Sequence, residues 1–306
     1  MKITMLSVKD YAGSGTKVCK AISEHTDHDI ALYVGSTAHR LRHVTGELIT
    51  PENREEVQDR IDTSDIIHIK GDWPPQCVNM GMNIDHKPIV QSVSGSFFRK
   101  KNMGGMGRYT PDMYDKCTIK TSFTPDLCYP GYSDIWTPHP IDSDDKPITW
   151  NQSDPPVFIH TPSMRSKKGT EFILKVFAEL AKERSFEVEI IEKVHHQYVL
   201  EKRRRATIFF DQFKVGFYGN SAVEAMQHGI PVANWLSPEA LDHEKMSSCP
   251  VIDAPLDVFA WVDKLKKVLD SDLGALSRQT KKWCDEVHGY RAVAKQWDNL
   301  YSIIEI

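Results

Sequence analysis

The chain has 306 residues, 38 of them Lys or Arg and 42 Asp or Glu, for a formal charge of -4 with histidine neutral. That length suits two domains of ordinary size, and the slight acidity, with a mean hydropathy of -0.42, excludes a globally basic surface for nucleic acid or anionic membrane. The apolar run in the opening MKITMLSVKD is too short for a signal-peptide core or a membrane span, and Cys19, Cys77, Cys117, Cys128, Cys249 and Cys284 form no C-x-x-C pair or short Cys/His cluster, so a cytoplasmic protein with reduced thiols and no structural zinc is expected.

Short, continuously apolar runs predict strands over residues 3–8, 30–34, 66–69 and 88–92, and a helix over 16–25 with Thr16 as its cap. Continuous rather than alternating apolarity points to strands covered on both faces, hence a parallel sheet between helices. The pattern weakens from 95 to 150, a stretch rich in Gly, Pro, Met and Tyr with one short strand expected near 117–121, and the polar segment 138–156 reads as a linker. Beyond it, strands are expected at 157–160, 188–191, 208–210, 231–233 and 251–252. Helices are expected at 170–184 and 257–270, followed by a mostly helical end broken near Gly289. The fold class is therefore α/β, with two α/β lobes and a cleft between them.

Three loops carry candidate chemistry. After the first strand, DYAGSGTKVCKA places Gly13, Ser14 and Gly15 before a helix whose opening amides favour phosphate. Val18 stands where a G-x-G-x-x-G fingerprint needs its third glycine, and no G-K-[ST] ending is present, so a plain turn remains the alternative. The second loop brings Arg165, Lys167, Lys168 and Gly169 between a strand and a helix, where the cations can neutralise a diphosphate or can form a solvated face. In the third, GFYGNSAVEAM, Tyr218 and Gly219 precede a helix opening with Asn220 and Ser221. The amides there can grip phosphate, and Glu224, one turn on, offers two acceptors to a ribose diol; the alternative is a surface glutamate. The D-x-D at Asp142 to Asp144 lies in the polar linker, where carboxylates keep the chain solvated, so no metal is expected.

The segments around Lys168 to Thr170, Asp211 and Gln212, Tyr218 and Gly219, and EAMQHGIPV resemble the nucleotide-sugar half of GT-B glycosyltransferases with two Rossmann-like lobes, most closely the retaining family 4. The likeness is strongest over residues 157–233. It implies an acceptor-side lobe at 1–150, a nucleotide-sugar lobe at 151–285, and a closing helix at 286–306 that braces the first lobe, with transfer in the cleft. Glu224 resembles the second glutamate of the E-x7-E motif, which holds the ribose, and Lys168 the lysine that meets the diphosphate. Gly13, Ser14 and Gly15 resemble the loop that closes over the phosphates, His196 matches a histidine of similar members, and Asp211 and Gln212 border the nucleotide or cap a helix.

Three positions depart from the family. Gly216 replaces the first glutamate, and Pro162 replaces a phosphate-binding arginine, for which Arg165 can substitute from the same loop. Ser94 replaces a sugar-contacting histidine, with Ser96 and Arg99 as further substitutes. The resemblance implies a metal-independent, cofactor-free retaining transfer from a nucleoside diphosphate sugar to an acceptor hydroxyl, with Arg165, Lys168 and Ser94 at the reacting end. The acceptor stays open among a glycan, a small molecule and a hydroxymethylated DNA base; for the last, Arg99, Lys100, Lys101 and the cation run from Lys202 to Arg205 can steer phosphates, the alternative being a solvated surface compensated by Glu201 and the overall acidity. A module that binds the nucleotide sugar without catalysis is the other alternative.

Overall fold

β1 (Lys2–Lys9) buries five consecutive residues, as a strand must when helices cover both faces of its sheet. The computed structural model describes residues 1–36, 46–71, 80–93, 117–128, 133 and 135–305, which fall into two units, Met1–Asp142 with Gly289–Ile306, and Ser143–His288. In the first, β1 is followed by α1 (Ser14–His25), β2 (Asp29–Ser36), β3 (Glu47–Leu48), α2 (Arg54–Asp62), β4 (Ile66–Lys70), β5 (Ile89–Val93), β6 (Ile119–Ser122) and β7 (Ile135–Trp136). The seven strands run parallel in the order β3-β2-β1-β4-β5-β6-β7. Ile3 pairs with Ile30 on one side and Ile66 on the other, which sets one register for the three buried strands.

The C-terminal helix, Tyr290–Ser302, belongs to this unit. Val293, Trp297, Leu300 and Tyr301 join Val18 and Ile22 of α1 in one core. Under that core His68 of β4 bonds the Tyr301 hydroxyl through Nδ1 at 2.6 Å and the Ser92 hydroxyl through Nε2 at 2.9 Å. Burial, and then the charge of Lys70, pull His68 down to about 3, so the ring is neutral and anchors the returning chain by hydrogen bonds alone.

The second unit contains β8 (Val157–His160), the single turn α3 (Arg165–Lys168), α4 (Thr170–Leu180), β9 (Glu187–Ile190), α5 (His196–Arg203), β10 (Ile208–Phe210), α6 (Asn220–Met226), β11 (Val232–Ala233), α7 (Pro238–Leu241), α8 (Val258–Leu269) and α9 (Leu273–Trp283). A π-helical turn, Cys284–His288, follows. Its four strands are parallel in the order β11-β10-β8-β9. An aromatic core fixes α4 and α8 to the sheet: Phe177 meets Phe210 edge-on at 4.7 Å, and Phe213 lies 4.5 Å from Trp261.

The two parallel sheets with flanking helices are the α/β class that the sequence patterning predicts. The chain enters the second unit at Ser143, whereas the sequence places that boundary at residue 150. The reason is local bonding: Lys281 donates to the Ser143 carbonyl at 2.9 Å, the Thr149 and Trp150 amides donate to the His228 carbonyl, and the Trp150 indole donates to the Thr207 carbonyl at 3.1 Å. Among the described residues no helix is long and apolar enough to cross a membrane.

Candidate functional site

From β8 the second sheet extends to β9 on one side and to β10 and β11 on the other. Loops leaving the carboxyl ends of β8 and β10 therefore diverge, and such a switch point is where open α/β sheets bind ligands. Lys168 comes from the loop after β8, and Asp211 is the first residue past β10. The Lys168 ammonium donates to Asp211 Oδ1, and Oδ2 accepts the Gly219 amide at 2.6 Å. Lys168 retains 13% side-chain exposure against 2% for Asp211, so the lysine is the member of the pair that can meet a ligand.

Two features lock these loops together. The Phe213 amide donates to the Lys168 carbonyl at 3.0 Å, and Gly169, at φ +72°, lies so close that a Cβ would meet the Phe213 Cβ and carbonyl oxygen at 3.1 Å. Only glycine fits there. Beneath them His160, buried at the end of β8, bonds the Phe210 carbonyl through Nδ1 and the Thr170 hydroxyl through Nε2, both at 2.8 Å. A carbonyl can only accept, so Nδ1 carries the hydrogen and the neutral Nε2 accepts from Thr170. Burial lowers His160 to about 4, outweighing the carbonyl bond that favours its charged form.

Gly219 is the N-cap of α6, and the amides of Asn220 and Ser221 open the helix where no intrahelical acceptor exists. Glu224 lies one turn further on and is buried. Its Oε2 accepts from Arg203 Nη1 at 2.9 Å and lies 3.4 Å from His196 Nε2, both on α5. Tyr218 turns the other way: its buried hydroxyl meets His288 Nε2 at 2.9 Å and accepts the Trp283 indole at 3.2 Å. The ring thus ties the Gly219 loop to α9 and the π-turn, while the backbone at Gly219 stays at the sheet edge. Gln212 donates to the Phe217 carbonyl and shapes the same loop.

Arg165 is exposed and gripped by Glu192, through Nε and Nη2 at 2.7 to 3.0 Å, with Glu171 at 3.5 Å. These carboxylates raise the arginine above its ordinary value and the arginine lowers Glu192. In the run from Lys202 to Arg205, Arg203 is committed to Glu224, while Lys202 and Arg205 both face Glu189, at 4.0 and 2.8 Å. Gly216 is at φ +81°, and a Cβ there would approach the Ser237 Cβ to 2.7 Å. The glutamate that the family motif has at this position is sterically excluded with this backbone. Pro162 is buried in the loop after β8.

In the first unit the loop after β1 is filled from within. Gly13 N–H donates to the Asp10 carbonyl, Ser14 N–H to the Tyr11 carbonyl, Gly15 N–H to Asp10 Oδ1 at 2.6 Å and Thr16 N–H to Asp10 Oδ2 at 3.0 Å. Thr16 is therefore no cap: its hydroxyl donates to the same carboxylate at 2.7 Å. Lys70, equally buried, stands 3.5 Å from Asp10 Oδ1. Asp10 occupies the place at the head of α1 that the sequence assigns to a ligand phosphate. Gly15 allows this, since a Cβ would come within 3.1 Å of the carboxylate. Ser94, Ser96, Arg99, Lys100 and Lys101 lie outside the described residues, and among those described no three His, Cys, Asp or Glu side chains gather as metal ligands.

Asp10, His160 and Arg203 are the site-shaping residues that motif reading passes over. Asp10 carries a signal, an acidic residue closing a strand before a glycine turn, whereas Arg203 is indistinguishable in sequence from its cationic neighbours.

No family model matches the sequence, and no curated protein does. Solved structures do share its fold, a two-lobed α/β class seen in glycosyltransferases. Sucrose-phosphate synthase from Thermosynechococcus elongatus superposes with a TM-score of 0.62 at 11% identity, over 99% of this chain and 98% of that one. An α-glucosyltransferase in complex with UDP-glucose and DNA containing an abasic site gives 0.66 at 10%, over 98% of each chain. HepE from Anabaena in complex with UDP and glucose gives 0.63 at 10%, over 99% of this chain and all of that one.

Proposed function

We propose that this chain is a glycosyltransferase that takes a sugar from a nucleoside diphosphate sugar, with the nucleotide held at the carboxyl edge of β8 and β10. The observation that carries the reading is the meeting of Lys168, Asp211 and the Gly219 amide at the sheet's switch point, at the head of the helix that carries Glu224. UDP or UDP-glucose bound to neighbours of the same fold supports it. In this reading Lys168 and the opening amides of α6 receive the diphosphate, and Glu224 receives the ribose. The Arg165 pair is open to water, which screens it, so the guanidinium can leave Glu192 for a phosphate.

The acceptor hydroxyl then attacks the anomeric carbon as the bond to the diphosphate oxygen breaks. The leaving phosphate takes the hydroxyl proton, and attack on the face it vacates retains configuration. Stabilising its growing charge is the task of Lys168 and Arg165. Since Asp10 fills the loop at Gly13 to Gly15, the diphosphate is assigned to the second unit's donors. We leave Ser94 as a sugar contact on the grounds of resemblance alone.

DNA as acceptor is the second reading, favoured by the neighbour bound to DNA; Glu189 and Glu224 offset two of the three charges of Lys202, Arg203 and Arg205, which weakens its electrostatic motive. A thermal-shift screen of nucleoside diphosphate sugars tests the main reading, because a ligand of the folded state raises apparent stability. Glu224→Ala is expected to abolish most of that shift, and an undiminished shift refutes the ribose assignment.

A further inference from the structure

We propose that Arg203 is a positioning residue for the nucleotide's ribose, acting through Glu224; the inference rests on the reading above. Arg203 and Glu224 are 3% and 4% exposed and meet at 2.9 Å. The guanidinium lies 4.8 Å from the Phe209 ring centroid on β10, and its Nε is buried with no hydrogen-bond partner. A chain seldom leaves a buried donor unmet. Here the stacking on Phe209 and the bond to Glu224 set the guanidinium, at the expense of its own full satisfaction.

The consequence falls on Glu224. A buried carboxylate without a cation takes up a proton or turns toward whatever donor is near. Arg203 sets its positive charge against Oε2 and fixes that oxygen, with His196 on the same oxygen at 3.4 Å. Because the acceptor is oriented before ligand arrives, its bonds to ribose hydroxyls need no reorganisation. Arg203 itself does not touch the nucleotide.

The test compares UDP, GDP and ADP with their 2′,3′-dideoxy forms by calorimetry on the intact protein. For the nucleotide that binds, the wild type is expected to favour the diol by about tenfold or more, the range for hydrogen bonds to a charged group. Arg203→Met should bring that ratio to within about twofold of unity, and Arg203→Lys, which keeps a cation in reach of Oε2, should restore most of it. Should Arg203→Met not fold, Arg203→Gln gives the same reading. A purely architectural Arg203 would shift both ligands together and leave the ratio intact, which overturns the proposal. Glu224→Gln separates the two levels. If it leaves the ratio unchanged, or if no nucleotide binds the wild type, the ribose site itself is refuted. If it abolishes the ratio while Arg203→Met preserves it, only the role of Arg203 is refuted.

Discussion

Gly216→Ala perturbs the second unit at a point where two costs add. The residue sits at φ +81°, and a left-handed backbone costs a residue with a Cβ about 1–2 kcal/mol. The new Cβ would approach the Ser237 Cβ to 2.7 Å. Ser237 has little freedom to retreat: its amide donates to the Gly216 carbonyl at 2.8 Å, and its hydroxyl caps α7 by accepting the Ala240 amide at 3.3 Å. Overpacking of this kind costs about 1–3 kcal/mol. The sum, about 3 kcal/mol, corresponds to a melting temperature lowered by about 6–12 °C for a domain of this size. Urea and thermal unfolding of Gly216→Ala and Gly216→Glu measure it, with the glutamate at least as damaging. A loss under about 1 kcal/mol for both would show that the loop can open to take a side chain, and the steric account of the missing glutamate would be wrong.

Lys168→Met is expected to weaken binding of the nucleoside diphosphate by about tenfold or more, since it removes a charge-assisted bond; unchanged affinity by calorimetry would remove Lys168 from the phosphate site. Acid should destabilise the second unit through His160. Its proton is taken up near the ordinary 6.5 in the unfolded chain but only at about 4 in the folded one, so the stability present above pH 6.5 declines as pH falls toward 4, by up to about 3 kcal/mol. Urea midpoints across that range should show a slope that His160→Gln flattens, and a variant with the wild-type slope argues against this origin. Replacing Lys202 and Arg205 with alanine is expected to reduce the salt dependence of any duplex DNA binding by no more than about one phosphate contact, because the single charge of Glu189 offsets one of the two cations; a loss of about two contacts in gel-shift titrations would return the cation run to the DNA reading.

Strands buried on both faces were the most legible part of the chain. Residues 157–160 and 208–210 coincide with β8 and β10, because unbroken apolar runs have little else to become. Helix α2 gave almost no signal, since only Val57 and Ile61 are buried along Arg54–Asp62. Strands β3 and β7 are two residues each and are defined by their neighbours rather than by their own composition. Within the candidate site, spacing singles out the loops of Lys168 and Glu224 but is silent on their partners. That a lysine faces Asp211, or a glutamate faces Arg203, is decided by pairs 43 and 21 residues apart. Tyr218 illustrates the same limit: the sequence places it beside the amides proposed for the ligand, while its hydroxyl is bonded to Trp283 and His288.

The carboxylate of Asp10 has a consequence for competition by simple anions. Being tethered a few residues from the amides it occupies, it acts at a high effective concentration without any loss of translational freedom, whereas free orthophosphate would have to displace it and also face its charge. Phosphate buffer at millimolar concentration is therefore expected to leave the α1 head untouched. Inhibition of nucleotide binding by orthophosphate would then report on the amides of α6 and on Lys168, which makes an inexpensive titration into a probe of one lobe at a time.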